Sequence, residues 1–101
     1  KAVELSPANG AFRDTLGWGY YQLGEYQKAV EELTTALELM GEGERPWDKA
    51  LVHYHLGMAY AAQKRWTSAE EQFKKALDLD PSLDAAKEGL KQLEKQQRVE
   101  S

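Results

Sequence analysis

Apolar residues return along most of this chain at intervals of three and four. Leu16, Tyr20 and Leu23 sit at i, i+4, i+7, the spacing that lines one helical face. A second run, Tyr26, Ala29, Val30, Leu33, Ala36, Leu37 and Met40, follows Gly24, a residue suited to the left-handed conformation at a helix end. Gly41-Glu42-Gly43 interrupts this second run, and Pro46 suits the first turn of a further helix. Leu56 and Tyr60, then Trp66, Ala69, Phe73, Ala76 and Leu77, repeat the plan, until Asp80-Pro81-Ser82 stops it. No segment alternates with period two, so strands are not expected. Residues 84–98 differ: Ala85, Ala86, Leu90 and Leu93 form a thin apolar stripe among charges that include a Glu94–Arg98 pair at i, i+4.

The pattern repeats itself in letters as well as in period. Ala2-Val3-Glu4-Leu5, Ala36-Leu37-Glu38-Leu39 and Ala76-Leu77-Asp78-Leu79 echo one another at intervals of 34 and 40 residues. Shifting residues 16–39 by 40 gives eight identities in twenty-four positions, too many for coincidence, so a two-helix unit is duplicated. Gly17, Ala29 and Ala36 recur as Gly57, Ala69 and Ala76, small residues where two helix axes approach, with Tyr20, Tyr26, Tyr60 and Trp66 filling the space around them.

Leu16-Gly17, Tyr20, Tyr26, Ala29, Leu33 and Ala36 in one copy, and Leu56-Gly57, Tyr60, Trp66, Ala69, Phe73, Ala76 and Pro81 in the other, resemble the tetratricopeptide repeat. The expected fold is all-α, a right-handed helix–turn–helix solenoid. Residues 1–9 read as the tail of a preceding repeat, 10–43 and 50–83 as two repeats, 44–49 as an insertion, and 84–101 as a capping helix with its tail. A partial repeat at one end and a polar cap at the other read as a piece of a longer protein. Three departures stand out. Arg13 and His53 occupy positions where a large apolar residue is usual, Gly41 replaces a closing proline, and the insertion either extends the next helix by a turn or forms a small loop.

Composition removes whole classes of function. With no cysteine, disulfide frameworks and thiolate zinc sites are excluded. Thirteen basic against seventeen acidic residues leave a charge of −4, and the cations are scattered, which argues against nucleic acid as a partner. No apolar run reaches the ~20 residues of a membrane span; a soluble chain is expected, with a cytoplasmic setting favoured. His53 and His55, two apart on a helix, point roughly 200° away from each other and cannot share a metal. The acidic pairs Glu31-Glu32 and Glu70-Glu71 fit solvated faces better than a catalytic dyad. No serine is set with a histidine and an acid as a nucleophile. Neither a catalytic residue, a cofactor nor a metal site is expected.

What remains is a binding surface. The resemblance implies that the first helix of each pair lines a concave groove holding a peptide or partner helix. It would present Asp14, Thr15, Trp18, Tyr21 and Gln22 from one repeat, and Leu51, Tyr54, His55, Met58, Ala61 and Ala62 from the next. The capping helix would add Glu88 and Gln92. Trp18, Tyr21, Tyr54 and Met58 lie off the Leu16–Tyr20 and Leu56–Tyr60 stripe and so are surplus to the core. One subtype of the family grips a carboxylate with paired Lys, Asn and Arg. Asp14 here replaces the Lys and Trp18 the Asn, so an apolar or basic segment suits the groove better. The function expected is a non-catalytic scaffold or adaptor that binds another protein or peptide. Two alternatives are a targeting domain fused to a larger enzyme and a groove for a small ligand or lipid. Phe12, Leu16, Gly19 and Leu23 form a further stripe on the first helix, expected to drive self-association.

Overall fold

The two turns that connect paired helices are built alike. The first helix, α1 (Ala8–Gln22), ends with the Gly24 N–H donating to the Tyr21 carbonyl and the Glu25 N–H to the Tyr20 carbonyl. Forty residues on, the Lys64 N–H donates to the Ala61 carbonyl and the Arg65 N–H to the Tyr60 carbonyl. Both are Schellman closures, which need a left-handed residue at their centre. Gly24 supplies it at φ 85° and Lys64 at φ 62°. Each turn folds the chain back into an antiparallel pair, α1 with α2 (Tyr26–Met40) and α3 (Pro46–Ala62) with α4 (Trp66–Leu79). A fifth helix, α5 (Asp84–Glu100), follows a turn in which the Ser82 N–H and hydroxyl both donate to Asp80 Oδ1.

The computed structural model describes residues 8–40 and 46–100. The partial repeat expected before residue 8 lies largely outside the described residues, as do Gly41-Glu42-Gly43 and the side chain of Phe12. α3 opens on Pro46, the position where a missing N–H costs nothing, with Asp48 in its first turn to complement the helix dipole. Residues 46–49 of the expected insertion are thus helical. α2 packs on α3 and α4 on α5, while α1, α3 and α5 meet as one layer. The result is an all-α stack, 51 × 28 × 16 Å, of helix–turn–helix units.

Two apolar clusters hold the stack. The first joins Ala29, Val30, Leu33, Ala36 and Met40 of α2 to Val52, Leu56 and Ala59 of α3. The second joins Ala50 of α3, Ala69, Phe73 and Ala76 of α4, and Ala86 and Leu93 of α5. α3 therefore serves both, and its apolar residues surround it, whereas α2, α4 and α5 are apolar on one side. The small residues do what their recurrence suggested. A Cβ on Gly17 would lie 2.7 Å from Leu33 Cγ, and one on Gly57 would lie 2.7 Å from Phe73 Cε1. Gly89 of α5 meets the same ring at 2.7 Å, so Phe73 is clasped between two glycines on different helices.

Leu23 is 77% exposed and keeps a helical hydrogen bond to the Gly19 carbonyl; it lies with Leu16, Gly19 and Tyr20 on the outer edge of α1, outside both clusters. No helix among the described residues is long and apolar enough to cross a membrane.

Candidate functional site

The exposed face of the α1–α3–α5 layer carries a chain of stacked rings. On α1, Trp18 and Tyr21 are three residues apart and therefore neighbours on the helix surface. Their rings are 4.7 Å apart and inclined by 7°. Trp18 also stacks on His55 of α3 at 4.2 Å and 23°, and its ring lies 6.4 Å from Tyr54. Tyr21 reaches Tyr26 at 5.5 Å, and Tyr54 reaches the core ring of Phe73 at 6.1 Å. The row thus runs from the first turn of α2, across α1 and α3, into the second cluster. Trp18, Tyr21, Tyr54 and Met58 are half-buried, with one side on protein and the other on solvent. Burial, reinforced by Tyr26 and Tyr54, raises the Tyr21 phenol above its ordinary pKa.

A polar pair underlies the row. His55 Nδ1 lies 2.8 Å from Asp14 Oδ1, with side chains 11% and 14% exposed. The Nδ1–H donates to the carboxylate, ties α1 to α3, and presents the imidazole face to Trp18. Asp14 and His55 were expected on the groove surface; the structure spends them on each other beneath it. Gln22, also expected there, is exposed at the end of α1. Thr15 belongs elsewhere, lining the outer edge of α1 with Leu16, Gly19, Tyr20 and Leu23. The other histidine points away, as its spacing required: His53 Nδ1–H donates to Gln72 Oε1 of α4 at 2.7 Å. Burial lowers the His53 pKa, Lys75 and Lys49 lower it further, and the Gln72 bond opposes them.

Between α3 and α5 the layer opens into a cleft of about 280 Å³. Tyr54, Met58 and Ala61 form one wall, and Ala85, Gly89 and Leu93 the other, with Glu88, Gln92 and Gln96 on the α5 side. Glu88 and Gln92 were expected here. Ala85 and Gly89 were not: Ala85 reads as part of an apolar stripe, and Gly89 carries no expectation of its own. A glycine inside a helical pattern was the available signal, since it costs about 1 kcal/mol and is kept for a close approach. The close approach of α5 to Phe73 at Gly89 brings this helix near enough to α3 to make the far wall.

Residues 15–82 match the family model of the tetratricopeptide repeat. Over 90 residues, 89% of the chain, the sequence is 27% identical to the small glutamine-rich tetratricopeptide repeat-containing protein 2 of Mycosarcoma maydis. The chain spans 24% of that relative's length.

Proposed function

Because the chain belongs to the tetratricopeptide repeat family, whose repeats bind other proteins, we propose that the α1–α3–α5 face is where it holds a partner. The observation that carries this reading is the ring row from Tyr21 through Trp18 to Tyr54, half-exposed and continuous across two helices. A core needs no such row, and large rigid aromatics give contact area at low entropic cost. Trp18, Tyr21, Tyr54 and Met58 are the contacting residues, Asp14 and His55 hold the platform beneath Trp18, and Gln22 flanks it. The occupant is a peptide or helix of another protein, and the module works as a scaffold or adaptor.

The test compares two substitutions. Trp18→Ala removes a central anchor and is expected to cost about 2 kcal/mol of partner binding. Leu56→Ala empties part of the first cluster and is expected to cost about 2–5 kcal/mol of stability. Urea denaturation of both variants decides. If Trp18→Ala unfolds the chain as badly as Leu56→Ala, Trp18 is a core residue and the groove reading fails.

A second reading concerns the outer edge of α1. Thr15, Leu16, Gly19, Tyr20 and Leu23 line a hollow of about 300 Å³, and Leu23 projects beside it. Nothing among the described residues covers it. The opposite end of the stack, the outward side of α5, carries Lys87, Lys91, Glu94 and Lys95, all exposed. A head-to-tail contact would therefore set an apolar edge on a charged one. The edge is better matched by itself, and its occupant is a second copy of the chain in a two-fold pair.

A further inference from the structure

The cleft between α3 and α5 restricts what the proposed groove accepts, a selectivity that rests on that groove reading. Its volume, about 280 Å³, falls just below the ~300–1,000 Å³ of small-molecule sites. It has room for a side chain or two of a larger partner rather than for a whole ligand. Its walls, Tyr54, Met58, Ala61 and Leu93 among them, are apolar. Along one margin, Glu88, Gln92 and Gln96 follow at i, i+4, i+8, one carboxylate and two carboxamides in a row on α5. No Lys or Arg lines the cleft. The nearby carboxylate of Asp14 is taken by His55, whereas Glu88 is exposed and makes no ion pair among the described residues.

We infer that the cleft takes a partner segment bearing a Leu, Met or aromatic side chain beside a Lys or Arg. The apolar side chain inserts between Met58 and Leu93 against Tyr54. The cation pairs with Glu88, and the backbone of the segment exchanges hydrogen bonds with the Gln92 and Gln96 carboxamides, which both donate and accept. Insertion supplies most of the affinity. The exposed charge pair contributes modestly and instead decides which segments are refused, acidic ones above all.

The experiment pans the full chain against short random peptides displayed on phage, then measures the synthetic consensus peptide by calorimetry. The consensus is expected to hold an apolar residue adjacent to Lys or Arg. Glu88→Lys should weaken it about tenfold, and exchanging the peptide's cation for Glu should restore binding to that variant. Ala85→Leu, which narrows the cleft from a half-buried position and keeps helix propensity, should weaken binding about tenfold without lowering the melting temperature. An acidic consensus, or binding indifferent to both Glu88→Lys and Ala85→Leu, overturns the cleft. If such binding is still lost in Trp18→Ala, the groove reading survives it. A peptide that needs Glu88 and Ala85 but tolerates Trp18→Ala supports the cleft and overturns the aromatic row. A library yielding no enriched peptide overturns both.

Discussion

His53 shows how much a single side chain can carry when its helix is used on every side. The imidazole is half-buried between α3 and α4, with Gln72 as its hydrogen-bond partner and Lys49 and Lys75 as its charged neighbours. Burial foremost, then the two cations, hold its folded pKa below the ordinary value near 6.5. Below pH 6.5 the unfolded chain therefore binds more protons at this site than the folded one, and stability rises with pH there. The contribution of His53 is fully present above about pH 6.5 and is lost as pH falls through its folded pKa. His53→Gln, which keeps a polar group opposite Gln72 and cannot titrate, should flatten this fall. Urea melts of both proteins between about pH 7.5 and 5 check it, and parallel profiles would refute it. The position was legible in the sequence as a departure, a histidine where the family resemblance leads one to expect a large apolar residue. That His55 pairs with Asp14 was not legible, because a contact between residues 41 apart depends on how far α3 is rotated against α1.

Among the elements, the two turns share one closure and set different residues at its left-handed centre, Gly24 and Lys64. A non-glycine residue in the left-handed region costs ~1–2 kcal/mol, and the lower chain entropy of an unfolded alanine returns part of that. Gly24→Ala, forced to φ 85°, should cost about 1 kcal/mol. Calorimetry checks the sign; a Gly24→Ala variant that melts no lower would show that the turn does not need its left-handed glycine. The helices themselves were readable, because an i, i+3, i+4 pattern interrupted by glycine or proline is local information. The letters before α3 allow either a helical extension or a loop, and Pro46–Ala62 takes the helical course from its proline onward. The cleft was half readable. Register placed Glu88 and Gln92 on it, but the tilt that brings α5 against α3 depends on the fit of Gly89 to Phe73, a matter of packing in space.

At the scale of the whole molecule, the ends of the stack are unlike its middle. At the internal junction the Gln63 amide donates to Gln27 Oε1, a polar link from the second turn to α2. The equivalent position in the first unit is Leu23, apolar and 77% exposed. That substitution suits an apolar neighbour, which a second copy would provide. Light scattering at ~100 µM, a concentration at which even a weak pair is populated, should report a dimer that Leu23→Glu dissociates. A monomer unchanged by that substitution would remove the edge as an interface.

The use of α3 on all its sides has a consequence for where this chain can change length. Val52, Leu56 and Ala59 face the first cluster, Ala50 the second, and Tyr54, Met58 and Ala61 the cleft. One residue inserted into the middle of this helix would turn everything before it by about 100° against everything after it. Each side chain would then be delivered to a neighbour's address, and both clusters and the binding face would be scrambled together. The six residues expected as an insertion, 44–49, come ahead of Ala50, where the spacing of the copies grows from 34 to 40, and disturb none of these addresses. Insertions and deletions in related chains should accordingly collect between units, and α3 should vary in its letters while keeping its count.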